Sequence, residues 1–307
     1  MKTTQVARAT FDMYVLNFTK KLLLRHNILC FYKIVGIVLC LFLCFGIHVY
    51  ADLDEGLISA WTFDDGTIKD AVGNNNGEIN GGVEVVNGKF GKALSFNGED
   101  GFVQIPHDKS MEAIENSLSV SAWIYVRQGA NCSAIVCKGE QVGWGSNYAF
   151  RIITVGAAAA TDPNKSLSWG VCNAGTEGWC HTLDVIEPEK WFFVCLTADG
   201  TQAVGHVAGE DGEVTIPNSN EGNPHAVVAP YLTFPDSPIE LGVGRAVEGA
   251  VGNDAFLDAV IDELYLWGRT LSEEEIEKLA SGTKPKGISA VEPSGKLAIT
   301  WGKIKRE

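Results

Sequence analysis

The sequence is short of the features that most quickly identify an enzyme. It has no G-x-S-x-G elbow, no H-E-x-x-H helix and no phosphate-cradling P-loop. No C-x-x-C occurs, so the frame of a zinc ribbon is missing. His107, His181, His206 and His225 are scattered without the spacing of metal ligands. Helix signals are scarce as well, which turns attention to an all-β class. Basic charge is thin: residues 1–51 hold six of the 24 Lys and Arg but one of the 38 Asp and Glu, leaving 18 basic against 37 acidic. Such an acidic remainder argues against nucleic acid and against anionic membrane surfaces as partners.

The first 51 residues differ from the rest. Lys20, Lys21, Arg25 and Lys33 form a basic stretch, Ile34–Ile47 is an unbroken apolar run, and Val49-Tyr50-Ala51 has the small residues of a cleavage site. This three-part order predicts a secretory signal over 1–51 with a long n-region. The run is short for a bilayer span, so contact with a membrane is expected only if the segment stays uncleaved. Export places the protein outside the cell or on its surface. There, five cysteines, Cys132, Cys137, Cys172, Cys180 and Cys195, meet oxidising conditions. An odd number leaves at least one unpaired. Cys172 and Cys180 flank the glycine-containing stretch NAGTEGW and are the best candidate disulfide, with Cys132–Cys137 as an alternative pair; Cys195, inside WFFVCLT, reads as a buried small hydrophobe.

From Leu57 onward, apolar-alternating runs are separated by Gly, Asn, Asp and Pro clusters, and the 34 glycines of the chain are enough for many turns. KALSF (92–96) and FVQIP (102–106) flank NGEDG, a strong hairpin signal. In LSVSAWIYV (118–126), Leu118, Val120, Ala122, Ile124 and Val126 share one face, with Trp123 and Tyr125 on the other. WFFVCLT (191–197) is apolar on both faces and predicts an interior strand covered twice. One helix stands out: Ser272 with Glu275 forms a capping box, Ile276 and Leu279 make an apolar stripe, and Gly282 and Pro285 end it. Residues 210–238, with five prolines, read as a long ordered loop, and 283–307 as a linker and small basic tail.

Four stretches in order, GKFGKALSFNGEDGFVQIP, SLSVSAWIYV, KWFFVCLTADGTQAVGHVAGE and AVIDELYLWGRTLSEEEIEKLA, resemble the successive motifs of laminin-G-like jelly-roll domains of the concanavalin A-like lectin/glucanase superfamily. The resemblance covers about residues 56–282. It implies an all-β, two-sheet antiparallel jelly-roll sandwich of twelve to fourteen strands with one short C-terminal helix, over a domain of 52–282. It also implies binding of glycans or protein partners. One departure is His206-Val207-Ala208-Gly209, where the family often carries a Tyr-Val-Asn-Gly-like step.

Exported sandwiches of this type often hold a structural Ca2+. Asp64, Asp65 and Asp70, followed by Asn74, Asn75 and Asn76, offer the oxygens such an ion takes. Asp262 is the second-segment ligand by analogy with the family, so the expected set is Asp64, Asp70, Asn74, Asn76 and Asp262. A glycan or surface polymer would stack on aromatic faces, and Trp144, Tyr148, Trp179 and His181 are the candidates; Trp144 and Trp179 sit in glycine-rich stretches expected to be loops. The competing reading is an adhesive module that contacts another extracellular protein. A glycosidase is disfavoured. The E-x-D-x-x-E strand of sandwich glycosidases is absent, and in LDAVIDE (257–263) alternation puts Asp258 and Asp262 on one face and Glu263 on the other.

Overall fold

The structure is a computed structural model that describes residues 52–129, 133–139, 148–154, 162, 164–173, 176–219, 222–242 and 256–288. The expected signal segment 1–51, Cys132, Trp144 and the tail beyond 288 lie outside the described residues.

The strands run β1 (Leu57–Trp61), β2 (Glu78–Asn80), β3 (Val83–Asn87), β4 (Lys92–Asn97), β5 (Phe102–Ile105) and β6 (Leu118–Gln128). Then come β7 (Ala134–Gly139), β8 (Tyr148–Thr154), β9 (Leu167–Asn173), β10 (Thr176–Thr182), β11 (Trp191–Ala198) and β12 (Gln202–Ala208). The last are β13 (Val214–Thr215), β14 (His225–Ala226), β15 (Ile239–Leu241) and β16 (Asp258–Trp267), followed by helix α1 (Glu273–Ala280). They form two antiparallel sheets. The first has the order β13-β12-β11-β6-β16-β4-β3, with β1 on β16 and β14 on β12; the second has the order β10-β9-β8-β7-β15-β5-β2. The fold is the expected two-sheet sandwich. Its described strands exceed the expected number because the 210–238 segment contributes the two-residue strands β13 and β14.

Alternation explains the core. Val120, Ala122, Ile124 and Val126 of β6 meet Phe150, Ile152, Trp169 and Ile239 from the second sheet in one buried cluster. The opposite face of β6 and β11 carries Trp123, Phe193 and Cys195 into a second cluster beneath Ile276 and Leu279 of α1. Thus β11 is covered twice, as its sequence predicts, and burial pushes the Cys195 thiol pKa up. The capping box forms: Glu275 N donates to Ser272 Oγ at 3.3 Å, and Ser272 N donates to Glu275 Oε2 at 2.8 Å.

The long loop is fastened from inside. Lys138 is fully buried, and its Nζ donates to the carbonyls of Ser237 (2.7 Å) and Phe234 (3.2 Å). Burial brings its pKa down to about 8. Tyr231 N donates to Glu115 O at 2.6 Å, and its hydroxyl accepts from Gly200 N at 2.9 Å.

Two local expectations are corrected by register. The expected loop gives way to strand: Asn173 ends β9 and Thr176 opens β10, paired antiparallel with Glu177 opposite Cys172 and Cys180 opposite Trp169. Positions 172 and 180 therefore sit three register steps apart, about 10 Å along the strands, and on opposite faces of the sheet. A disulfide needs Cα atoms within about 7 Å, so this hairpin does not set up the expected Cys172–Cys180 bridge. Glu263 is the second correction. The pairing of β16 with β6 shifts between Asp262 and Tyr265, and Glu263 has φ +50°. This bulge cancels alternation and turns Asp262 and Glu263 toward the same outer face.

Candidate functional site

Two places gather chemically capable side chains. The first lies on the outer face of the first sheet, where β16 changes partner. Its residues 258–261 pair with β4 and 264–267 with β1, with the bulge between. The turn Gly88–Gly91 packs against that bulge. Phe90 N donates to Asp262 Oδ2 and Lys92 N to Asp64 Oδ1, each at 2.9 Å. Glycine is required twice here. A Cβ on Gly88 would lie 2.5 Å from Asp262 Oδ2, and one on Gly91, which has φ +83°, would collide with Asp64.

Asp262 is wholly buried, and among the described residues its Oδ1 has no hydrogen-bond partner. Glu263 accepts from the Tyr265 hydroxyl and pairs with the Lys284 ammonium, which also lies 3.4 Å from Asp64 Oδ2. Phe90, Trp123, Phe193 and Tyr265 wall the cleft. Phe90 meets Trp123 edge-on at 5.6 Å, and Lys89 Nζ stands 4.8 Å over the Trp123 ring. Burial is the main cause that pushes Asp262 up to about 7 and Glu263 up to about 8, against the opposing pull of their hydrogen bonds and of Lys284.

The expected calcium ligands split into two groups. Asp70 spends both oxygens on the early loop: Oδ1 accepts from Ala60 N and Val72 N, both at 3.0 Å, and Oδ2 from Asn75 N at 3.1 Å. Asn76 Oδ1 accepts from Asp70 N at 2.9 Å, and Asn74 is exposed. These residues order a turn, as Asp and Asn commonly do, and do not fit an ion site. Asp64 and Asp262 share the other place, where the unbonded Asp262 Oδ1 is an oxygen of the kind a hard cation takes. Among the described residues, no group of three acidic, His or Cys side chains is arranged to hold a metal.

The second place is the outer face of the second sheet. Strand register sets Glu78 opposite Gln104, Gln104 opposite Glu240, and Glu240 opposite Cys137. Cys137 lies opposite Arg151, Arg151 opposite Gly170, and Gly170 opposite Trp179. One polar line thus crosses all seven strands of this sheet, and His181, opposite Ser168, flanks it. Glu78 is exposed, Gln104, Arg151 and His181 are half-buried, and Glu240 and Cys137 are buried, Cys137 in a small cluster with Ala134, Ile153 and Cys172 against which Leu232 packs. The Gln104 amide donates to Glu240 Oε1 at 3.1 Å. Of the expected glycan contacts, Trp179 and His181 therefore fall beside one another in β10, and Tyr148 opens β8 opposite Gly139. Sequence reading missed Gln104, Glu240 and Arg151. The alternation in FVQI, IEL and YAFRI marks them as outward positions, but only register aligns them.

Comparisons with known proteins agree on the fold. The family model of a laminin-G domain, described as the concanavalin A-like lectin/glucanases superfamily, matches residues 97–277. No curated protein matches the chain. Domain 4 of AbnA, a GH43 extracellular arabinanase from Geobacillus stearothermophilus, solved with arabinotriose, has a TM-score of 0.50 at 18% identity, over 73% of this chain and 98% of that one. The binding domain of Paraclostridial Mosquitocidal Protein 1 gives 0.54 at 18% identity, over 74% and 52%. The binding domain of Botulinum Neurotoxin DC, solved with SialylT, gives 0.51 at 15% identity, over 75% and 52%. The chain spans about half the length of these toxin structures. At such identities the likeness is one of fold.

Proposed function

The chain belongs to the concanavalin A-like lectin/glucanase superfamily, and from that footing we propose that it is an exported, non-catalytic module that binds carbohydrate. The observation that carries this reading is the polar line across the second sheet, ending at Trp179 with His181 beside it. Hydrogen-bonding groups set on a rigid sheet, with an aromatic at one end, are what a sugar needs. Its hydroxyls would pair with Arg151 and Gln104, and Trp179 is the aromatic position of the same register line. Related folds solved with arabinotriose and with SialylT lend support. The N-terminal leader pattern supports export.

The carboxylates of the first sheet do not favour a hydrolase. Glu263 is held by Lys284 and Tyr265, and Asp262 by the Phe90 amide, inside a cleft walled by aromatic rings. Structural calcium is retained as part of the proposal at Asp64 and Asp262 alone. There the ion would have to displace Lys284 from Asp64 Oδ2 and would tie the Gly88–Gly91 turn to β16.

A glycan-array screen of residues 52–307, with and without calcium, tests the binding reading. Binding that Arg151→Ala and Trp179→Ala each weaken roughly tenfold is the expected result; binding that neither variant changes places the site elsewhere. Calcium is tested by thermal unfolding. A ligand of the folded state raises the midpoint by mass action, so the midpoint should fall in excess chelator, and Asp262→Ala should abolish that difference.

A further inference from the structure

We propose that Lys284 and a divalent cation are mutually exclusive occupants of one seat among Asp64, Asp262 and Glu263, so that cation binding releases the lysine that fastens the segment 284–288. The inference rests on the calcium reading above and deepens it: Glu263 joins the donors, and Lys284 is a built-in competitor of the ion.

The arrangement of oxygens carries it. Each of the three carboxylates has one oxygen committed to the protein. Asp64 Oδ1 accepts from Lys92 N and Asp262 Oδ2 from Phe90 N, both at 2.9 Å, and Glu263 Oε2 accepts from the Tyr265 hydroxyl. The second oxygens remain. Asp64 Oδ2 lies 3.4 Å from Lys284 Nζ, Glu263 Oε1 pairs with the same ammonium, and Asp262 Oδ1, wholly buried, meets no hydrogen-bond partner among the described residues. Three anchored carboxylates thus each keep one oxygen for a cation, and the cation in place is a lysine. The other lysines of this corner are engaged elsewhere: Lys89 Nζ stands over the Trp123 ring, and Lys92 Nζ donates to Asn87 Oδ1 at 3.0 Å.

Charge favours the exchange. Ionised, the three carboxylates carry three negative charges against one ammonium, which leaves Asp262 Oδ1 unbonded. A doubly charged ion neutralises more of that charge, and a hard cation takes carboxylate oxygens of this kind. The three side chains are not arranged to hold a metal as they stand, so the ion enters only as the ammonium leaves and the carboxylates close in. Departure of Lys284 removes the ion pairs of its segment and leaves that segment the Gly287–Asp54 hydrogen bond and the packing of Ile288.

The test is calorimetric titration of calcium chloride into the whole chain and into Lys284→Met, which keeps an apolar stem and removes the charge. A competitor that holds the seat in about nine-tenths of molecules raises the apparent Kd about tenfold, so the variant should bind calcium roughly tenfold tighter than wild type. In the wild type, saturating calcium should also raise amine labelling of Lys284, read by mass spectrometry, while labelling of Lys92 stays level. Equal affinities for the two proteins, or calcium binding that leaves the labelling of Lys284 unchanged, would overturn the inference while leaving calcium binding intact. Absence of calcium binding by both proteins would instead remove the calcium reading on which it rests.

Discussion

A wholly buried carboxylate with one unbonded oxygen, as in Asp262, is costly when charged, and protonation relieves the cost. Burial holds Asp262 at about 7 and Glu263 at about 8, above the ordinary carboxylate values of 3.8 and 4.5. The folded state therefore binds more protons between these limits. The stability these groups contribute is complete below about pH 4 and is lost as pH rises through 7 to 8. His206, pushed by burial down to about 4, acts in the opposite sense and loses its contribution as pH falls through 4. The difference between wild type and Asp262→Asn isolates the carboxylate, since the amide still accepts from Phe90 N. Thermal midpoints measured from pH 5 to 8.5 should fall less steeply in the variant, by roughly 3 °C across the range. Parallel curves would assign the titration elsewhere. Gly91→Ala tests the same corner sterically. The positive φ and the collision with Asp64 should together cost about 1–3 kcal/mol by urea unfolding.

Helix α1 depends on contacts at its first turn more than on its length of eight residues. Glu275 serves both the box and a two-pronged pair with Arg269, at 2.8 and 2.5 Å, and Arg269 also donates to the carbonyls of Asp52 and Glu55. Ser272→Ala should lower stability by about 1 kcal/mol. Glu275→Ala should cost more, about 3 kcal/mol, because the guanidinium is left half-buried without its anion; equal losses for the two would show that the Arg269 pair contributes little. Elements of this kind were legible in the sequence, since the cap, the stripe and the strand alternation are local patterns. The faces of β6 and the double covering of β11 followed in the same way. What escaped reading depends on distant chain or on register. Glu263 turns to the wrong side for its place in the alternation because a bulge forms where β16 changes partners, and no glycine signals it. Lys138 occupies a core-facing position because carbonyls about a hundred residues away, at 234 and 237, solvate it. The polar line is invisible until seven short strands are aligned, and Asp70 looked like an ion ligand because a turn-former and a calcium ligand present the same oxygens.

At the scale of the molecule, the segment 284–288 closes the first sheet. Lys284 answers two carboxylates, Ile288 packs on the second cluster, and Gly287 N donates to Asp54 Oδ1 at 2.8 Å. Lys284→Ala should cost about 1–3 kcal/mol in urea unfolding, and its loss should be smaller at pH 5, where Glu263 is protonated, than at pH 9. An unchanged penalty at the two pH values would mean that the lysine acts by packing alone. The same contact has a geometric consequence. Residues 52–55 and 284–288 are hydrogen-bonded neighbours, so the path of the chain enters and leaves the sandwich at one point. A fold with that property behaves like a bead threaded through a single hole. It can be spliced into a surface loop of another protein without spreading the two sides of the splice. Joining 288 back to 52 through a few glycines and opening new ends in another exposed turn should leave the sandwich intact.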